Sequence, residues 1–127
     1  MIEIYDRRGY ILLLTIEGDS LHDAPLAGAD LNDANLVQVD LRRADLSGAS
    51  LRDADLRLAN LSGVNFSGAD LNGADLSKAD LAGADLRGAK LLGAKLAGTR
   101  LNGATVQRKA LLTADSREAQ LEEAIII

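Results

Sequence analysis

The groups in this sequence that could do chemistry are few in kind. Nineteen Asp and Glu stand against 14 Lys and Arg, with one histidine and no cysteine. The missing cysteine removes thiol nucleophiles, disulfide frameworks and zinc knuckles. His22 has Asp23 beside it, but one histidine does not make a metal site of the usual kind. It reads as a solvated surface residue. The aspartates invite acid–base pairs or calcium, and Lys90, Lys95 and Arg100 suggest a basic collar for phosphate or nucleic acid. Spacing argues against both, because Asp30, Asp40, Asp45, Asp55, Asp70, Asp75, Asp80 and Asp85 fall in one five-residue register, as do the three cations. A carboxylate placed by a repeat serves the repeat: it bonds backbone N–H groups in turns and solvates the surface. No phosphate loop, dinucleotide fingerprint or nucleophile elbow is present, since the glycines occupy one turn position. The sequence predicts no catalysis, no cofactor and no metal.

The elements that carry these charges follow from the repeat itself. From Leu26 to Leu101 every fifth residue is leucine in sixteen positions, with Phe66 the one exception. Two residues before each stands alanine, replaced only by Val39, Val64 and Thr99. The residue between them is Asp or Asn in eleven of sixteen units, and Gly follows two after the leucine in ten of sixteen. Five residues advance a helix by about 140°, which would scatter the leucines around the cylinder. In an extended segment, by contrast, residues two apart share a side. Leu-x-Gly-Ala then supplies a turn whose third position needs positive φ, as in a type II turn. Short strand, turn and short strand, always with Leu and Ala inward, close the chain into a coil.

This Ala-(Asp/Asn)-Leu-x-Gly pattern, clear in Ala69-Asp70-Leu71-Asn72-Gly73, resembles the pentapeptide repeat family over residues 21–106. The resemblance implies an all-β solenoid: a right-handed quadrilateral β-helix with four pentapeptides per coil, Leu and Ala inside and no lumen. A little over four coils result, a rod about 20 Å long at the strand spacing of about 4.8 Å. With 20 residues per coil, Lys90, Lys95 and Arg100 fall one coil above Asp70, Asp75 and Asp80, which predicts inter-coil ion pairs instead of a basic collar. Only Asp55 over Asp75 stacks like charges. The side with Leu31, Leu51, Leu71 and Leu91 sums to −2, the opposite one to +1, and the surface is mixed.

The flanks read differently. Ile2–Tyr5, Asp6-Arg7-Arg8-Gly9 and Tyr10–Ile16 predict a hairpin with a type I turn. Asp115 with Glu118 resembles a capping box and predicts a short helix through about Ala124, leaving Ile125-Ile126-Ile127 as an apolar tail for the last coil or a second subunit. The expected organisation is an N-terminal hairpin cap over 1–18, a β-helix over 19–106 and a C-terminal cap with a short helix over 107–127. At 127 residues this is one domain. The start has no secretory character and the longest apolar run, Ile11–Leu14, does not span a bilayer. A cytoplasmic protein is expected.

A core filled with Leu and Ala leaves no concave apolar pocket of the usual ligand-binding kind. The expected function is therefore a rigid, prismatic interaction module for another protein, with no direct nucleic-acid or membrane partner. Self-association through the C-terminal end is a further expectation. The alternative comes from the resemblance alone: some members of that family protect DNA gyrase from quinolones by imitating duplex DNA. Such a mimic needs about one negative charge per 1.7 Å, whereas this repeat region is nearly neutral and short. The acidic side, Asp30, Asp33, Asp53 and Asp70 with neighbouring Asp55 and Asp75, is the expected partner surface.

Overall fold

A computed structural model describes residues 1–127. Two antiparallel strands open the chain, β1 (Ile2–Tyr5) and β2 (Leu12–Ile16), paired from Ile2↔Ile16 to Tyr5↔Leu12 with an irregularity at Ile4/Tyr5. The connection turns as expected: the Gly9 N–H donates to the Asp6 carbonyl at 2.9 Å. Asp6 holds the loop, its Oδ1 accepting the Tyr10 and Ile11 N–H groups at 2.8 and 2.9 Å. The hairpin is docked on the coil, with the Asn35 N–H donating to the Tyr5 carbonyl and the Arg7 N–H to the Asp33 carbonyl. It thus covers strand edge that would otherwise stand open.

From Pro25 onward the chain pairs with itself in parallel at a constant offset of 20 residues, Pro25↔Asp45, Asp30↔Ser50, Asn35↔Asp55 and so on. Each coil is therefore four pentapeptides. Three bonds per pentapeptide build the ladder between coils, as in Leu51 N–H to the Asp70 carbonyl at 2.8 Å, Asp53 N–H to the Asn72 carbonyl at 3.0 Å and Asp55 N–H to the Ala34 carbonyl at 2.9 Å. Within each turn the N–H of the small residue returns to the preceding leucine carbonyl, as Ala69 does to Phe66 at 3.0 Å. Most of the backbone is thus satisfied locally or by an adjacent coil, and the inward side chains are left to pack. They form one core of 34 buried residues, nearly all Leu and Ala of the repeat. Thr99 enters this core because its hydroxyl donates to the Leu76 carbonyl at 2.6 Å, so no polar atom is orphaned.

The third turn position has positive φ throughout, between 57° and 73° from Asp33 to Gly103, whatever residue is there. Leu58 (φ 62°) is the costliest occupant, a branched, half-exposed side chain in the left-handed region. Leu58→Gly is expected to stabilise the fold by about 0.5–1 kcal/mol, the left-handed penalty less the extra entropy of glycine in the unfolded chain. A midpoint in urea that fails to rise would contradict this reading of the turn.

The C-terminal region departs from expectation. No helix covers 115–124; instead α1 (Arg108–Thr113) comes earlier, and beyond it the coil resumes. Lys95↔Asp115 and Arg100↔Gln120 keep the 20-residue offset, and β3 (Thr105–Val106) pairs in parallel with β4 (Ile125–Ile126). The expected boundary at 106 is thus not the end of the repeat ladder. The physical reason is competition: Ala114, Ala119 and Ala124 stand at the inward spacing, and the Asp115 carbonyl accepts the Leu96 N–H at 2.9 Å. The ladder offers more partners than a lone capping box.

Candidate interaction surfaces

The outward Asp and Asn residues close the turns they sit in. Oδ1 of Asp30, Asn35, Asp40, Asp45, Asp55, Asn60, Asn65, Asp70, Asp75, Asp80 and Asp85 each accepts the N–H two residues on, at 2.9–3.3 Å. Where Ser50 and Lys90 break the pattern, Asn32 and Asn72 substitute from the coil before, accepting the Arg52 and Leu92 N–H groups at 2.9 Å. The local role expected for these carboxylates is what the geometry displays.

Arginine two residues after the aspartate folds back on it. Arg42–Asp40, Arg57–Asp55, Arg87–Asp85 and Arg117–Asp115 are bidentate, with contacts of 2.7–2.9 Å to the second carboxylate oxygen. The Arg42 guanidinium holds the Asp40 carboxyl at about 2, and Asp55, Asp85 and Asp115 are lowered by their arginines in the same way. A lowered carboxyl favours the folded state above its unfolded pKa of about 4, and that contribution is lost as pH falls toward the folded value. Each pair is solvent-exposed and small on its own, but the device is repeated. The thermal midpoint is expected to stay flat from about pH 7 to 5 and to fall between about pH 4 and 2. A midpoint unchanged to pH 2 would overturn the contribution of these pairs.

Of the three expected inter-coil pairs, only Arg100–Asp80 forms, at 3.2 Å. Lys90 and Lys95 make none, and Asp70 is engaged by Arg52 instead, at 3.2 Å. His22 is also not free in solvent. Its Nδ1 faces Asp23 at 3.0 Å and Arg43 donates to its Nε2, while the same arginine pairs with Asp23 at 3.2 Å.

The six acidic-side residues lie on adjoining rungs: Asp30 and Asp70 share one column, Asp55 and Asp75 the next, while Asp33 and Asp53 occupy the positive-φ corner. Arginine reaches half of them. Arg7 of the hairpin meets Asp33 at 3.3 Å, a contact the sequence could not announce, and Asp55 and Asp70 have the partners above. Asp30, Asp53 and Asp75 have no ion pair. Apolar exposure gathers instead at the hairpin, in Tyr10, Ile11 and Leu12, and at Ile125–Ile127. No helix is long and apolar enough to cross a membrane.

A ladder of pentapeptides with a filled interior and a polar exterior defines a repeat-built surface module. The pentapeptide repeats family model matches residues 24–63 and 65–103 in 8 copies, and the chain belongs to that family. Membership of that family implies the right-handed quadrilateral β-helix. The chain is similar to HetL of the cyanobacterium Nostoc sp. strain PCC 7120, a pentapeptide repeat protein involved in heterocyst differentiation regulation. The two are 31% identical with a TM-score of 0.58 over 87% of this chain. The match spans 58% of HetL, less than two thirds of its length. Another pentapeptide repeat protein of Nostoc PCC 7120 is 40% identical over 74% of this chain and 81% of its own, with a TM-score of 0.36. Full-length QnrB1, a plasmid-mediated fluoroquinolone resistance protein, is 20% identical over 97% of this chain and 71% of its own, with a TM-score of 0.41. Among curated proteins none matches significantly.

Proposed function

We propose that the chain is a non-enzymatic, cytoplasmic interaction module that presents a rigid face to a protein partner. The observation that carries this is the fixed surface chemistry. Each aspartate in the Ala-Asp-Leu register is held by its own turn, and charges of both signs stand at set positions on a hydrogen-bonded backbone ladder. Preorganised groups of mixed sign suit protein recognition, where complementarity gives specificity and little ordering entropy is lost on binding. The acidic side is the contact surface we favour, with Asp30, Asp53 and Asp75 offering carboxylates that no arginine neutralises. Self-association through the exposed Ile125–Ile127 end belongs to the same reading, and sedimentation of the purified chain measures it.

The rival is a DNA mimic acting on gyrase. Its support is the Asp55/Asp75 stack beside Asp53; against it stand Arg7, Arg52 and Arg57 on the same side. Supercoiling by gyrase, with and without a quinolone, separates the two. We expect no effect at micromolar protein, and photo-crosslinking in the native cell from a probe at Asp53 is expected to trap a protein lost when the six aspartates become Asn. Gyrase inhibition or protection that the six substitutions abolish would replace the first reading with the second.

A further inference from the structure

The ladder is interrupted at one place. Every inward Leu or Phe from Leu26 to Leu101 donates its N–H to the carbonyl 19 residues on, except Leu91. Its partner in register is Ala110, but α1 has turned that carbonyl aside, and it accepts the Thr113 hydroxyl at 2.7 Å instead. The neighbouring donors are provided for: Gln107 Oε1 takes the Gly88 N–H at 2.8 Å and Asn72 Oδ1 takes that of Leu92. Leu91 itself is almost wholly buried, and its N–H has no partner in the protein. Buried backbone donors are rarely left so.

The orphaned donor belongs to the wall of a cleft of ≈ 450 Å³ between α1 and the last full rung of this side, within the size range of small-molecule sites. Lys90 and Lys109 line it, and no acidic residue does. Both lysines lack an ion pair, and the carboxylate one coil from Lys90, Asp70, is engaged by Arg52. Leu92 and Ala110 supply apolar wall, Leu92 being 62% exposed.

We propose that this cleft binds a small aliphatic carboxylate. One carboxylate oxygen accepts the Leu91 N–H, the ammonium groups of Lys90 and Lys109 balance the charge, and the hydrocarbon chain lies on Leu92 and Ala110. Charge-assisted bonds of this kind are about twice as strong as neutral ones, and the missing rung is replaced by the ligand.

Amide NMR of the uniformly ¹⁵N-labelled chain tests this, with hexanoate as probe and hexanol and inorganic phosphate as controls at constant ionic strength. Hexanoate is expected to move the Leu91 amide downfield saturably, and Lys90→Gln with Lys109→Gln to weaken binding about tenfold. The dispersed remainder of the spectrum reports that the variant is folded. An unsaturable Leu91 shift, or affinity unchanged in the double variant, overturns the site. Equal binding of hexanol overturns the role of the charge, and equal binding of phosphate that of the hydrocarbon chain.

Discussion

Replacing Leu61 with aspartate is expected to abolish the folded state, with loss of far-UV ellipticity and of a cooperative urea transition. Leu61 is fully buried, and its N–H bonds the Asp80 carbonyl at 2.8 Å. It stands in the middle rung of its side, between Leu41 and Leu81. A carboxylate there has no partner within the apolar interior, so it must either stay charged without solvation or be protonated at neutral pH, and both are costly. A solenoid has no distant contacts to compensate, because each coil touches only its neighbours. Failure in the middle leaves two short stacks, neither with core enough to stand. Leu61→Ala grades the same effect, with an expected loss of about 2–5 kcal/mol. Leu58→Asp is the control, since position 58 faces solvent at positive φ, where Asp is tolerated. Cooperative unfolding of Leu61→Asp at the wild-type midpoint would refute the column of inward leucines as the core.

What the sequence disclosed depended on whether a feature was periodic. Leu61, Ala59 and Gly63 could be assigned inside, inside and turn because each is one instance of a rule with sixteen copies, and the structure places them so. The Asp40 and Asp70 side chains were legible as turn-bonding groups for the same reason. α1 was not, because Gln107-Arg108-Lys109 breaks the repeat and the downstream Asp115-Ser116-Arg117-Glu118 fits two local rules. The signal that decides is Ala114, Ala119 and Ala124, whose spacing continues the ladder on the far side of the interruption. The lysine pairs failed for a different reason. Columns give rung-to-rung adjacency, but Asp70 can also be reached from Arg52, which pairs with it at 3.2 Å. The cleft under α1 is further still from the sequence, since it exists only because one carbonyl has been turned away from Leu91.

The second large effect is expected at Phe66, the one aromatic residue in the leucine column and the largest fully buried side chain. Its backbone is that of any other unit, its N–H bonding the Asp85 carbonyl at 2.8 Å. What differs is volume, and Val64 adds to it in the same coil, where alanine is the rule. The pairings Asp45↔Asn65↔Asp85 place Phe66 between Leu46 and Leu86, with ladder bonds on both edges holding the coil spacing. Such a frame cannot collapse onto a void. Phe66→Ala is therefore expected to lose the full cavity cost, about 3–5 kcal/mol. Phe66→Leu restores the residue of the other fifteen units and is expected to cost under about 1.5 kcal/mol, the residual void set against a better-matched column. Urea unfolding of both variants decides the point. A loss near 1 kcal/mol for alanine would mean that the coils do close around the gap, and that the ladder is softer than its hydrogen bonds imply. A leucine variant as damaged as the alanine one would mean that Phe66 and Val64 form a fitted pair in which shape, not only volume, holds the middle of the rod.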